Sequence, residues 1–280
     1  MVKRKKLNDP GKARAPGPSL RDHLLADGSG VTPPLLEESY VFLGDEDIPY
    51  DCYTSRERLQ DEFKFLWPKV WQWACREEHI PEPGDYYVYD IGDLSALIVR
   101  AEDGSIKAYY NACMHRGTQL KPPATCGTTQ GLRCPFHGWT WSLEGELIDL
   151  PQEWDFPHVD VESHRLPEVK IGLWGGFVFV NFDQDAEPLE QYLGVLSDHF
   201  SHWDLENRYI ETHICKRLPA NWKASAEAFI EAYHIRETHA GGKPGTEAPT
   251  QYDIFGENVT RFVHTIGSRN GSTEIGVDEQ

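Results

Sequence analysis

Apolar and polar positions change rhythm several times along this chain. In "TSRERLQDEFKFL" (54–66), Leu59, Phe63 and Leu66 recur at helical spacing behind a capping Thr54 or Ser55, and Pro68 ends the run. A shorter helix, "LRDHLLAD", sits inside a Pro-, Gly-, Lys- and Arg-rich start read as a mobile arm over residues 1–36. From residue 82 the period drops to two. "DYYVYDIGDLSALIVRAEDGSIKAYYNAC" alternates, is rich in β-branched and aromatic residues, and carries "EDGS" as a hairpin turn. "FHGWTWSLEGELID" repeats that pattern around "LEGE", and "EVKIGLWGGFVFVNFD" (168–183) reads as a strand pair bent at Gly175 and Gly176.

Beyond these strands the pattern predicts a helix over 188–203 starting at Pro188, and a strand over 209–218. "NWKASAEAFIEAYHIRETH" (221–239) reads as one strong helix, because Ala, Glu and Lys favour helix and Trp222, Ala226, Phe229 and Tyr233 share helical spacing. After a Gly/Pro-rich loop (241–249), "QYDIF-GEN-VTRFVHTIG" reads as a hairpin. The expectation is an α+β chain: a lead-in over 1–47, a small antiparallel β-domain over 48–165, and a mixed segment over 166–280.

Composition narrows the class. With 280 residues, 39% hydrophobic and 12% aromatic, the chain can bury a sizeable core. The net charge is −18, which argues against a nucleic-acid or anionic-membrane partner. Residues 1–14 carry six basic side chains and one Asp, +5, so the remainder stands at −23. No apolar run reaches the roughly 18 residues of a membrane span. The basic start lacks a following apolar stretch, so the cytoplasm is the expected compartment. Six Cys in this length do not make a disulfide scaffold. Cys126 reads as a turn residue; Cys52, Cys75 and Cys215 read as buried fillers.

The other two Cys stand in "CMHRG" (113–117) and "CPFHGW" (134–139), giving Cys113-x-His115, 18 residues, then Cys134-x-x-His137. A structural zinc site more often pairs Cys-x-x-Cys with a His pair or a second Cys pair. One thiol and one imidazole per stretch suit a [2Fe–2S] cluster with thiolates on one iron and imidazoles on the other, although zinc or no metal stays open on spacing alone. Gly117 and Gly138 allow close backbone approach, and Pro135 stiffens the second stretch.

These stretches resemble the Rieske [2Fe–2S] motif, in the version found in large (alpha) subunits of Rieske non-haem iron ring-hydroxylating oxygenases. Respiratory Rieske proteins carry an extra Cys in each loop, where this chain has Thr118 and Phe136. The resemblance implies Cys113, His115, Cys134 and His137 as cluster ligands. It also implies a Rieske β-domain followed by the N-terminal part of a helix-grip catalytic domain.

His234 and His239 are five apart, about 140° out of register on a regular helix, and converge only if the helix widens or breaks. Alone, such a pair reads as surface or core. Glu231 and Glu227 share the face of His234, and two His with one carboxylate is the ligand set of O2-activating non-haem iron. The stretch 221–239 resembles the same family's catalytic signature, N-W-K … E-x-F-x-x-(D/E)-x-Y-H-x-x-x-x-H. That resemblance implies His234 and His239 as Fe(II) ligands and Asn221 near the iron. It makes Glu231 the carboxylate linking an iron-ligand His to a cluster-ligand His of a neighbouring subunit. Glu231 replaces the usual Asp, as in the branch oxidising quaternary amines; Glu227 is its rival for the role. The family's third iron ligand lies in a late helix, whereas Asp253 and Glu257 fall in the hairpin, so the chain reads as a partial large subunit.

The implied activity is that of a terminal oxygenase acting with O2 on a small organic substrate, by ring hydroxylation or by C–H or N-alkyl oxidation. Its electrons come from NAD(P)H through a reductase, in some systems with a ferredoxin, and its assembly is a homotrimer or α3β3. The rival readings are a Rieske electron carrier and a fragment that keeps its cluster but not turnover.

Overall fold

The computed structural model describes residues 18–27, 31–231, 233, 234, 238, 250–264, 266, 267, 273 and 274. Helices α1 (Leu20–Asp27), α2 (Asp51–Thr54) and α3 (Arg56–Phe65) come first. A run of strands follows: β1 (Gln72–Arg76), β2 (Asp85–Ile91), β3 (Leu94–Arg100), β4 (Ile106–Tyr110), β5 (Cys126–Thr128), β6 (Leu132–Arg133), β7 (Thr140–Trp141), β8 (Leu147–Asp149), β9 (Lys170–Trp174) and β10 (Phe177–Asn181). Then come α4 (Leu189–Leu193), α5 (Leu196–Phe200), α6 (Trp222–Glu227) and the strands β11 (Thr250–Phe255) and β12 (Val259–His264). The chain divides into two compact units. One is Arg56–Tyr192 with Asp204–His213; the other is Met1–Ser55, Leu193–Trp203 and Ile214–Gln280.

The strand-rich unit is built from antiparallel sheets of order β4-β3-β2-β5, β6-β7-β8 and β1-β10-β9. Strand β3 explains how they share an interior. Alternate side chains of a strand leave on opposite faces, and Ala96, Leu97, Ile98 and Val99 are all 0% exposed. Leu97 and Val99 enter one core with Val88, Tyr109, Leu132 and Trp141. Ala96 and Ile98 enter a second with Ile80, Val169, Val178 and Val180. A strand covered on both faces reads as a continuous apolar run, which is what "ALIV" is. Burying Leu97, Ile98 or Val99 in this way stabilises by about 1.5–3 kcal/mol each.

The expected hairpins form. Tyr86–Ile91 pairs with Leu94–Val99 and Ala96–Arg100 with Ile106–Tyr110. The β9–β10 turn has φ 57 at Gly175 and 76 at Gly176, the mirror-image turn that suits strand twist. The β-rich unit continues past residue 165, since β1 pairs with β10 and β10 with β9.

The predicted strand over 209–218 is absent. Its approach is held by side chains instead of a ladder. The buried Arg76 guanidinium donates to the carbonyls of Leu205 (3.2 Å) and Arg208 (2.5 Å), and the Ile210 N–H donates to the Glu78 carboxylate (2.9 Å). The helix predicted over 188–203 is two helices, α4 and α5, parted at Gly194, whose φ of 51 is left-handed. Cys75 is buried as expected, but Cys215 is exposed and Cys52 only half-buried, so neither fills a core.

In the other unit β11 and β12 pair from Thr250↔His264 to Phe255↔Val259. Asp253, 1% exposed, accepts from the Ser39 N–H (2.7 Å) and from Nη2 of Arg261 (2.8 Å). Arg261 Nη1 donates to the Pro34 carbonyl (2.8 Å), and Leu20 and Leu24 are buried. Within the lead-in, Leu20, Leu24 and residues 34–39 are therefore anchored, while residues 40–47 are exposed; residues 1–17 and 28–30 lie outside the described residues.

The long helix predicted over 221–239 is also corrected. Among the described residues, α6 (Trp222–Glu227) is helical, 228–234 are not, and Thr238 is helical again, its N–H donating to the His234 carbonyl (2.9 Å). After α6 the chain tightens into i→i−3 bonds, Phe229 N–H to Ala226 (3.0 Å) and Ile230 N–H to Glu227 (3.2 Å). Next, the Glu231 carboxylate accepts the His234 N–H (3.1 Å). A side chain that bonds nearby backbone competes with the helical ladder. The apolar stripe expected to anchor the helix is exposed, 83% at Phe229 and 95% at Tyr233, so packing does not support the propensity.

Candidate metal centre

The two Cys/His stretches fold as near-copies of one turn. In the first, the Cys113 carbonyl accepts the Gly117 N–H (2.8 Å), and the Cys113 N–H donates to the Thr118 carbonyl (2.8 Å). In the second, the Cys134 carbonyl accepts the Gly138 N–H (3.1 Å), and the Cys134 N–H donates to the Trp139 carbonyl (2.8 Å). Both glycines take the left-handed conformation the closure requires, φ 73 and 80. Offsets from Cys to Gly are thus identical, while His sits two residues after Cys in one turn and three after it in the other.

The turns present thiols inward and imidazoles outward. Cys113 and Cys134 are 4% and 2% exposed and belong to the core with Leu97, Tyr109 and Trp141. The Cys134 thiol and the backbone N–H groups of His115 and Arg116 neighbour the Cys113 sulfur closely enough to shift its ionisation. Burial pushes the Cys113 thiol up, and those N–H groups oppose the shift. The His115 and His137 rings lie 4.8 Å apart between centroids. Burial first, then the neighbouring His137 and Arg116, hold His115 below the usual imidazole range.

His115 is walled and His137 is not. Trp139 stacks on His115 at 5.1 Å with 6° between planes, and Phe156 meets it edge-on at 5.8 Å. His137 is exposed beside Phe136, itself 60% exposed.

Below the first turn Asn111, 2% exposed, uses its whole amide. Oδ1 accepts from the N–H groups of Leu120 (3.1 Å) and Lys121 (3.0 Å); Nδ2 donates to Ser95 Oγ (3.1 Å) and the Lys121 carbonyl (2.8 Å). Sequence reasoning missed both Asn111 and Phe156. A buried Asn two residues before the Cys is a faint signal for the first; nothing in local spacing marks the second.

This donor set fits a two-iron cluster better than a single ion. Among the described residues no three His, Cys, Asp or Glu side chains converge as one ion requires. Two adjacent thiols and two adjacent imidazoles instead form two like pairs, the division a Rieske cluster uses. Backbone N–H groups aimed at sulfur supply the charge compensation such a cluster needs.

The second predicted constellation is partly described. Glu231 faces the His234 ring at Nδ1 through Oε1, while Oε2 accepts the His234 N–H (3.1 Å). Together these contacts hold the Glu231 carboxyl below its usual range, against the opposing desolvation. His239 lies outside the described residues. Asn221 caps α6, accepting the Lys223 N–H (3.0 Å) and donating to the Tyr53 carbonyl (3.1 Å). Glu227 is committed to the Tyr53 hydroxyl (3.0 Å). Asp253 and Glu257 lie in the hairpin and its turn, with Asp253 committed to Arg261.

Two family models match the chain: the Rieske [2Fe-2S] domain over residues 70–163, and the ring hydroxylating alpha subunit catalytic domain over residues 198–275. The glycine betaine monooxygenase oxygenase subunit of Chromohalobacter salexigens is 30% identical over 225 residues, 79% of this chain and 48% of that protein. The large oxygenase component of naphthalene 1,2-dioxygenase from Pseudomonas putida is 32% identical over 217 residues, 73% of this chain and 45% of that protein. Among solved structures, naphthalene 1,2-dioxygenase from Rhodococcus bound to indole superposes with a TM-score of 0.58 at 32% identity, covering 65% of this chain and 43% of that one. A quaternary ammonium Rieske monooxygenase in complex with gamma-butyrobetaine shares the fold, with a TM-score of 0.65 at 24% identity over 76% of this chain and 63% of that one. No helix among the described residues is long and apolar enough to cross a membrane. The cofactors of the matched domains are a Rieske [2Fe–2S] cluster and a mononuclear iron. The chain belongs to the family of Rieske ring-hydroxylating oxygenase alpha subunits, and it spans about half the length of the curated relatives it matches.

Proposed function

We propose that the chain serves a terminal oxygenase that uses O2 to hydroxylate an aromatic ring or to oxidise a C–H or N-alkyl group of a small organic substrate. Cys113 and Cys134 hold one iron of the cluster, His115 and His137 the other, and His234 with His239 ligates the mononuclear iron. When bound, the cluster supplies single electrons and the mononuclear iron activates O2. The observation that carries this reading is the pair of matched turns, with two buried, neighbouring thiols and two adjacent imidazoles.

The residues have separate tasks. The N–H groups of His115 and Arg116 offset negative charge on the Cys113 sulfur. Glu231 fixes the orientation of His234 through Nδ1, which would leave metal binding to Nε2, the usual way a carboxylate directs a ligand imidazole. Glu231, not Glu227, is the site carboxylate, because Glu227 is engaged by Tyr53. Asn221 holds the start of α6 and so positions the stretch that leads to Glu231. Residues 48–165 carry the Rieske domain, whose β-rich unit is completed by β9 and β10; the rest to 280 belongs to the catalytic domain, and 1–47 are the lead-in. Electrons arrive from NAD(P)H through a reductase, with or without a ferredoxin. In a homotrimer or α3β3 ring, the cluster of one subunit serves the iron of the next. The relatives' names include ring dioxygenation and glycine betaine monooxygenation at nearly equal identity, so identity does not choose between them.

Electron paramagnetic resonance of the reduced protein tests the cluster. A Rieske-type signal is expected, lost in His115→Ala and in His137→Ala. A colourless, zinc-loaded protein overturns the reading.

A further inference from the structure

We propose that Phe156 is a positioning residue for the cluster: with Trp139 it clamps the His115 ring and keeps water from it, and so lowers the cluster's potential. This rests on the ligand assignment above. Three ring contacts define the clamp. Trp139 lies flat on His115 (5.1 Å, 6°), Phe156 stands against His115 (5.8 Å, 86°), and Phe156 stands against Trp139 (5.4 Å, 90°). The three rings therefore brace one another at right angles or in parallel, arrangements that aromatic quadrupoles favour. His137 has no comparable enclosure: it is exposed, and its neighbour Phe136 is 60% exposed.

The backbone that delivers Phe156 is under strain. Gln152 has φ 59 and ψ 42, a left-handed conformation that costs a non-glycine residue about 1 kcal/mol. Three turns follow from it: Asp155 N–H to Gln152 (2.8 Å), Phe156 N–H to Glu153 (2.9 Å) and Val159 N–H to Phe156 (2.9 Å). Of the large apolar side chains on this tight path, Trp154 is 79% exposed while Phe156 is turned onto Trp139 and His115. Strain held at a turn whose product is contact with a ligand side chain is the pattern expected of a positioning device.

The direction of the effect follows from charge. Two ferric irons, two sulfides, two thiolates and two neutral imidazoles sum to zero, and reduction adds one electron and one negative charge. Water favours the charged, reduced form, so a wall that excludes it lowers the potential.

Redox titration and electron paramagnetic resonance of the full chain, cluster loaded, read this out. Phe156→Ala is expected to shift the midpoint potential upward and to broaden the signal as His115 gains freedom. Phe156→Leu, which keeps apolar bulk without the flat edge, should shift it less and still broaden the signal. Phe156→Tyr should match the parent chain. If only the tyrosine variant retains a cluster, the aromatic requirement stands. Parent potential and linewidth in both the alanine and leucine variants overturn the proposal, as does a downward shift, or loss of the cluster from all three. A parent chain without a Rieske signal defeats the ligand assignment instead.

Discussion

Gly117 and Gly145 adopt nearly the same left-handed backbone, φ 73 and 80, in very different surroundings. A Cβ at Gly117 would meet nothing within 4 Å, whereas one at Gly145 would lie 2.6 Å from the Tyr109 ring. Tyr109 is 1% exposed, and its hydroxyl donates to the Leu143 carbonyl (3.1 Å), so it has nowhere to go. Gly117→Ala should therefore cost only backbone strain, about 1–2 kcal/mol. Gly145→Ala adds overpacking and should cost about 2–5 kcal/mol. Urea unfolding followed by tryptophan fluorescence should show a clearly lower midpoint for the second; equal midpoints would contradict the packing at Tyr109. The cysteines divide just as sharply. Burial pushes the Cys75 thiol up to about 12 from 9.0, and the thiolate is the reactive form. At about pH 8, iodoacetamide should label exposed Cys126 and Cys215 in the native chain and spare Cys75, as read by peptide mass spectrometry. The folded chain prefers the neutral Cys75 thiol. That contribution to stability is complete below pH 9.0 and is lost as pH climbs through about 12.

Elements in this chain are held by single polar anchors as much as by pattern. The β11–β12 hairpin is tied to residues 34–39 through Asp253 and Arg261, whose side chains are 0% and 10% exposed. Asp253→Ala leaves the guanidinium buried without its carboxylate and should destabilise by about 3–5 kcal/mol. At α6, Asn221→Ala removes both the cap and the tie to Tyr53, and hydrogen exchange at the Lys223 amide should quicken; Asn221→Ser, which can still cap, should restore most of the protection. Hairpins were legible in the sequence because their partners are neighbours and their turns carry Gly104, Gly145, Gly175 and Gly176, all at positive φ. The segment after Arg208 was not. Its hydrogen-bonding groups go to Arg76 and Glu78, more than a hundred residues away in the sequence, and no local period records that. The helix over 221–239 is interrupted after Glu227 for a related reason: its composition favours helix, but the Glu231 carboxylate captures backbone and ring of His234. The metal centre divides the same way. Cys113, His115, Cys134 and His137 are visible as spacing because each turn is local, while Phe156 meets His115 from 41 positions away and leaves no trace in the motif.

At the scale of the whole molecule, the two proposed metal sites fall in different compact units. Cys113, His115, Cys134, His137, Phe156 and the core beneath the thiols lie within Arg56–Tyr192; Glu231 and His234 lie within Ile214–Gln280. Each site draws its described contacts from its own unit, so loading of one should not depend on the other. His234→Ala should leave the Rieske resonance and two irons per chain intact, while removing any third iron that a mild chelator extracts from the parent. His137→Ala should do the reverse, abolishing the resonance while the chelatable iron stays. The same logic separates Cys113 from the imidazoles. The thiol is part of the core as well as a proposed ligand, so Cys113→Ser should lose the cluster and also lower the unfolding midpoint of its unit. His137, exposed at the surface, should lose the cluster's metal without that added packing defect. Iron analysis paired with the resonance on each purified variant decides the matter. Loss of both signals together, in either histidine variant, would show that the two units assemble their metals as one.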